Sequence, residues 1–390
     1  MSRIAFVSTY PPRRCGIATF TADLGRAMGN HEIVALRRPD EVAHQGHLVH
    51  HAIRTDVRAD YARVARALNA CDIDAVSLQH EYGIWGPDDG GGVLDFLGAL
   101  SVPAVATLHT VLRHPTAAQH RIMRGILDTT AAVVVMSRAA ASLLSDRYAA
   151  DPTRVEIIPH GVPDLPLVEP DSIKASVGLG GHPVLLSFGL VGPGKGYESV
   201  IEAMPAVVRA VPEARYVILG ATHPELLERE GERYRTRLET LVADLGLARH
   251  VVFVDRFVGR LELSRWLEAT DVFVTPYPNL DQIVSGTLSY AMAAGKPSVS
   301  TPYLYAVEIL ADGRGRLVPP GDRAAMSDAL IELLQDHDLR AAMAQRAYAH
   351  GRGMLWSRVA ADYRQAFTRV RTVPRGVRAL AIPAATVPSA

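Results

Sequence analysis

Short apolar runs alternate with longer amphipathic ones along nearly the whole chain. The apolar runs lie at 3–8, 33–37, 74–79, 103–108, 131–136 and 154–158, then at 183–188, 214–219, 250–254, 271–275, 297–300 and 316–318. Most are continuous Val, Ile, Leu and Ala rather than alternating apolar and polar positions, the pattern of parallel strands buried on both faces. The segments between them carry the helical period. In 17–28, Ile17, Phe20, Leu24, Ala27 and Met28 share one face, and in 57–68 so do Val57, Tyr61, Val64 and Leu68. Such strand–helix alternation predicts doubly wound parallel sheets, which bind ligands beyond the carboxyl ends of their strands.

The pattern breaks between about 160 and 182. Pro159, Pro163, Pro166 and Pro170, then Gly178, Gly180, Gly181 and Pro183, surround one short helix-compatible stretch. A second strand–helix series starts at Pro183. The reading is therefore α/β, with two Rossmann-like domains over 1–165 and 172–355, a last helix over 356–370, and a disordered tail over 373–390. A chain of 390 residues exceeds what one hydrophobic core usually supports, which agrees with two domains.

Composition narrows the functional classes. The formal net charge is zero, so no global field draws the chain to nucleic acid, and membrane contact is at most peripheral. Two cysteines, Cys15 and Cys71, are too few for a disulfide framework or a Cys-rich zinc site and suit a reducing cytoplasm. The opening apolar stretch is too short for a signal-peptide core, and no run approaches the roughly 20 apolar residues of a spanning helix. Oligomeric state is not encoded in any of these features.

Four segments then carry chemistry. They are Ser8-Thr-Tyr-Pro-Pro12 with Cys15-Gly-Ile-Ala-Thr-Phe20, Ile158-Pro-His-Gly-Val162, Ser187-Phe-Gly-Leu-Val-Gly-Pro-Gly-Lys-Gly196, and Ser285-Gly-Thr-Leu-Ser-Tyr-Ala-Met-Ala-Ala-Gly-Lys-Pro297. In this order and spacing the chain, from residue 1 to about 370, resembles the family 4 retaining glycosyltransferases. The resemblance implies the GT-B fold: two Rossmann-like domains facing a cleft, with the 356–370 helix crossing back onto the first. It also implies a retaining hexosyl transfer from a nucleotide-sugar donor to a carbohydrate or related hydroxyl acceptor, without a metal.

A phosphate-bearing donor needs backbone N–H groups and a cation where negative charge builds as the glycosidic bond breaks. Gly16 opens a helix and has no Cβ to block a phosphate. Ser285, Gly286 and Thr287 open another, whose free N–H groups and dipole favour an anion. Lys195 lies in a Gly-rich turn, where a flexible ammonium reaches a phosphate. His109 ends a buried strand, where the resemblance implies a hydrogen bond to the transferred sugar. His80 and Glu81 end another strand and could bind acceptor hydroxyls or act as acid and base, although His80 could equally satisfy a buried carbonyl. His160 stands where the family often has Asn, and is assigned to the acceptor side or to the interdomain region. Nothing in the spacing of His80, His109 and His160 demands zinc.

Two departures matter. The family's pair of Glu residues, separated by seven residues, is Gln282 and Tyr290 here. Gln282 can still bond a sugar hydroxyl, whereas Tyr290 cannot make a carboxylate's paired contact with a ribose diol. Weak nucleoside discrimination is therefore expected, and Tyr290→Glu is expected to improve nucleotide-sugar affinity or leave it no worse. The family's Arg that partners the lysine is also missing, leaving Lys195 as the phosphate cation unless Arg13, Arg14 or Arg256 substitutes. A glycoside phosphorylase using inorganic phosphate, and an inactive sugar-binding scaffold, are the alternatives these departures keep open.

Overall fold

In a computed structural model, which describes residues 3–41 and 49–371, the apolar runs become two parallel sheets. The first contains β1 (Ile4–Ser8), β2 (His31–Arg37), β3 (Val49–Arg54), β4 (Ala75–His80), β5 (Ala104–Leu108), β6 (Ala132–Val135) and β7 (Val155–Ile157). Its order is β3-β2-β1-β4-β5-β6-β7, and every pairing is parallel. The second contains β8 (Val184–Phe188), β9 (Arg215–Leu219), β10 (Val251–Val254), β11 (Val272–Thr275), β12 (Ser298–Ser300) and β13 (Gly315–Leu317). Its order, β10-β9-β8-β11-β12-β13, repeats the plan of the first. The 373–390 segment lies outside the described residues.

Burial explains the continuous apolar runs. The pleat sends Ala5 and Val7 into one core and Ile4 and Phe6 into another, on the opposite face of the first sheet. Leu185 is likewise separated from Val184 and Leu186 in the second sheet. Both sheets are thus covered on both sides, as the alternation with helices requires.

The strand order reverses between β1 and β4 in the first sheet and between β8 and β11 in the second. Connections leaving the carboxyl ends of these strands open outward on opposite sides there, creating the crevice in which such folds hold ligands.

The chain passes between the sheets twice, and the two passages pair. Val162 N donates to Met354 O at 2.9 Å, and Trp356 N donates to Val162 O at 3.0 Å. The last helix, Trp356–Arg371, packs on the first sheet: Val359, Tyr363, Phe367 and Val370 join Ile4, Phe6, Phe20 and Leu24 in one cluster. The Tyr363 hydroxyl lies 2.9 Å from the Thr107 hydroxyl inside it.

Candidate functional site

On the first-sheet side, the helix Gly16–Met28 leaves the end of β1 with Cys15 as its cap, the thiol accepting from Ala18 N at 3.3 Å. A Cβ placed on Gly16 would meet no protein atom within 4 Å, so protein packing does not require this glycine. Phe20, one turn further on, meets the rings of His109 and His160 edge-on at 5.0 and 5.2 Å. His109 follows β5, and its Nε2 donates to Gln79 Oε1 at 2.9 Å, which leaves Nδ1 able to accept. Desolvation pushes its pKa down to about 3, and His160 and His80 act in the same direction.

His160 donates from Nδ1 to Gly161 O at 2.8 Å, and burial lowers its pKa to about 4. Its Nε2 faces the start of the helix Gly286–Ala293, where a Cβ on Gly286 would come within 2.9 Å of it. Phe20 and His160 therefore bring the first side of the cleft against the second.

His80 ends β4 and Glu81 follows it. His80 is fully buried, bonds neither a backbone carbonyl nor any other group through either ring nitrogen, and rests edge-on against Tyr82 at 4.9 Å. Burial alone lowers its pKa to about 3. Glu81 accepts from Tyr82 N at 2.9 Å and from the Thr110 hydroxyl at 2.5 Å. Desolvation outweighs those two bonds and raises its pKa. Among the described residues, no group of three or more His, Cys, Asp or Glu side chains is arranged to hold a metal ion.

On the second side, the Gly-rich turn after β8 holds Lys195 Nζ 4.4 Å from the centre of the Tyr277 ring. The Tyr277 hydroxyl lies 2.8 Å from Thr287 Oγ1, which lies 3.1 Å from Ser285 Oγ. Ser285 caps the helix 286–293, accepting from Leu288 N at 3.3 Å. A cation, two hydroxyls and a helix N-terminus thus share one corner. Gly196 shapes it, because its φ of 67° is left-handed and a Cβ would strike Pro276 O at 2.1 Å. Gln282, just upstream, turns its amide back to donate to Val284 O at 2.8 Å.

Tyr290 reaches across the cleft. Its hydroxyl donates to Asp23 Oδ2 at 3.4 Å, and its ring lies edge-on to Phe188 and His160. Desolvation, with Asp23 adding to it, raises the phenol pKa. Asp23, only 4% exposed, also accepts from Arg26 at 2.9 Å and pairs with Arg260 of the second side. Of the other candidate cations, Arg256 is paired with Glu262 and Arg13 with Glu41, while Arg14 is exposed.

Sequence reasoning missed Asp23 and Tyr277. Asp23 left a signal, an acid beside Leu24 on the face the helical period assigns to the core. Tyr277 left none beyond its place after a buried strand.

Comparisons with known proteins agree with this geometry. The profile described as Glycosyl transferases group 1 matches residues 170–350, and that described as Glycosyltransferase Family 4 matches residues 15–164. The chain is similar to a phosphatidyl-myo-inositol mannosyltransferase of Mycobacterium leprae, 28% identical over 80% of this chain and 78% of the relative. It is also similar to a GDP-mannose-dependent alpha-(1-6)-phosphatidylinositol monomannoside mannosyltransferase of Mycolicibacterium smegmatis, 27% identical over 86% of this chain and 89% of the relative. Among solved structures, Anabaena HepE in complex with UDP and glucose superposes with a TM-score of 0.77 at 15% identity, covering 95% of this chain and all of that one. Sucrose-phosphate synthase from Thermosynechococcus elongatus gives 0.75 at 19% identity, over 95% and 99%. The fold is GT-B, and the chain belongs to the family 4 glycosyltransferases.

Proposed function

We propose that the chain is a retaining hexosyltransferase that moves a sugar from a nucleotide-sugar donor to the hydroxyl of a carbohydrate or inositol-type acceptor. The observation that carries this reading is the corner formed by Lys195, Tyr277, Thr287 and Ser285 at the start of the helix 286–293. A leaving diphosphate lodged there would meet an ammonium, free N–H groups of Gly286 and Thr287 and the positive end of a helix, with the Gly16 backbone opposite. We assign His109 and Gln282 to the transferred sugar, and Glu81 and His160 to the acceptor side. His80, closed off from solvent, we assign to the packing of that wall. Tyr290 borders the nucleoside.

The relatives' names support the donor class and an inositol-linked acceptor, and they lend nothing to a phosphorylase or an inactive scaffold. We take the division into 1–165 with 356–370, and 172–355, as the functional unit boundaries. No helix among the described residues is long and apolar enough to cross a membrane, and with both cysteines free this supports a reaction at or near a cytoplasmic face.

A thermal-shift panel of UDP, GDP, UDP-glucose, GDP-mannose, sugar 1-phosphates and inorganic phosphate tests the donor class. A ligand at 100 times its Kd stabilises by about 2.7 kcal/mol, a plain rise in Tm. Response to a nucleoside diphosphate is expected; response only to phosphate or sugar 1-phosphate would sink the reading. NMR of the product's anomeric proton tests retention.

A further inference from the structure

The loop that carries Gln282 belongs by sequence to the second sheet, between β11 and the helix 286–293, yet both neighbours of Gln282 are fastened to the first domain. Ile283 is 2% exposed and lies in the hydrophobic cluster that contains Leu108, Val111 and Val135 beneath the first sheet. Its carbonyl accepts from the buried Ser137 hydroxyl at 2.8 Å. Ser137 is at the same time the cap of the helix Arg138–Tyr148, accepting from Ala140 N at 3.2 Å, so its one proton and a lone pair are both committed. Asp281, on the other side of Gln282, pairs with Arg113 at 3.4 Å.

The same helix start is held a second time. Glu308, in the second-domain helix Leu304–Ile309, accepts from Arg138 N at 2.9 Å, where a carboxylate is favoured by the helix dipole. Leu304 packs against the same first-domain cluster as Ile283.

We infer that Ile283 and Ser137 are positioning residues for the reaction: beside the backbone bonds within the second domain, Leu304 N to Leu280 O at 3.0 Å and Tyr305 N to Gln282 O at 3.1 Å, they fix the Gln282 loop by docking it on the first domain, so its sugar-facing geometry depends on the two domains being together. Val284 alone separates this anchor from Ser285, and the Gln282 amide is folded onto Val284 O at 2.8 Å. Separating the domains would pull Ile283 into water and leave the Ser137 hydroxyl without its acceptor. Lys195 on Tyr277, the part of the phosphate corner that lies away from this link, would persist. The inference rests on the proposed transfer reaction.

The test compares Ile283→Ala, Ser137→Ala and the conservative Ile283→Val with wild type, following UDP or GDP release from UDP-glucose and GDP-mannose in the presence of myo-inositol and sugar acceptors. The alanine variants should lose kcat at least tenfold while the Kd for UDP or GDP stays within about threefold, and Ile283→Val should recover most of the loss. Lys195→Ala should show the opposite bias, weakening diphosphate binding. Wild-type kcat in both alanine variants overturns the inference, and so does a loss of kcat matched by an equal loss of diphosphate affinity. Absence of turnover in wild type would instead count against the transfer reading. In that case small-angle scattering of the ligand-free chain decides: a larger radius of gyration in Ile283→Ala and Ser137→Ala supports the anchor, and unchanged profiles refute it.

Discussion

Lys195 holds its ammonium 4.4 Å above Tyr277, a contact worth about 0.5–1 kcal/mol at an exposed site. A charge-assisted hydrogen bond to a phosphate is worth about 1.5–3 kcal/mol, so an arriving diphosphate outcompetes the ring. Lys195→Ala should therefore lower kcat/KM at least tenfold in steady-state assays, and unchanged activity would move the phosphate to another cation. Tyr290 gives a second residue-scale prediction, and here structure reverses an expectation. A Glu at 290 would set a carboxylate against Asp23, whose Oδ2 already takes the Tyr290 hydroxyl. Tyr290→Glu is thus expected to lower Tm and leave nucleotide affinity no better, whereas Tyr290→Phe loses only one long hydrogen bond. Calorimetric binding of UDP and GDP to both variants checks this; tighter binding by the Glu variant would restore the original expectation. Most of the candidate side chains were legible because motif and helix-start chemistry are local. The Asp23–Tyr290 contact, 267 residues apart in sequence, was not.

At the scale of elements, the apolar runs were legible because each strand is buried on both faces, and each of the twelve runs coincides with a strand to within a residue or two. β3 was missed for a physical reason. It is the edge strand beside β2, its sequence is Val-His-His-Ala-Ile-Arg, and only Ile53 is buried, so it never needed a continuous apolar run. The pairing of the two crossings was equally silent, since Val162 and Leu355 carry no mark of each other. That junction is tight: a Cβ on Gly161 would lie 2.1 Å from the Trp356 ring. Gly161→Ala must push the indole out of its cluster, and overpacking of this kind costs about 1–3 kcal/mol. A lower Tm is expected, with a wild-type Tm showing that the indole yields freely.

For the whole molecule, the most general consequence comes from three desolvated histidines on the cleft wall, His80 buried and His109 and His160 half-buried. In the fold His80, His109 and His160 take up a proton only near 3, 3 and 4, against an ordinary value of 6.5. Between those values the unfolded chain binds more protons than the folded one, so stability is fully present above about 6.5 and is lost as the pH falls. Each ring contributes up to about 1.4 kcal/mol of loss per pH unit below that point. The carboxylates held low by ion pairs, such as Asp60 and Glu262, titrate at more acidic pH; Glu81, raised by burial, works in the opposite direction, and His350, also lowered by burial, adds to the histidine loss. Urea unfolding at pH 7, 6 and 5 should show a steepening decline for wild type. His80 offers the cleanest removal, because neither of its ring nitrogens has a partner to orphan. His80→Phe should retain stability at pH 7, since replacing an unsatisfied buried polar ring by an apolar one removes a desolvation cost. Its decline toward pH 5 should be shallower than that of wild type, because one lowered ring is gone. A flat wild-type profile, or an unchanged slope in the variant, would mean that water or movement of the wall lets these rings protonate inside the fold.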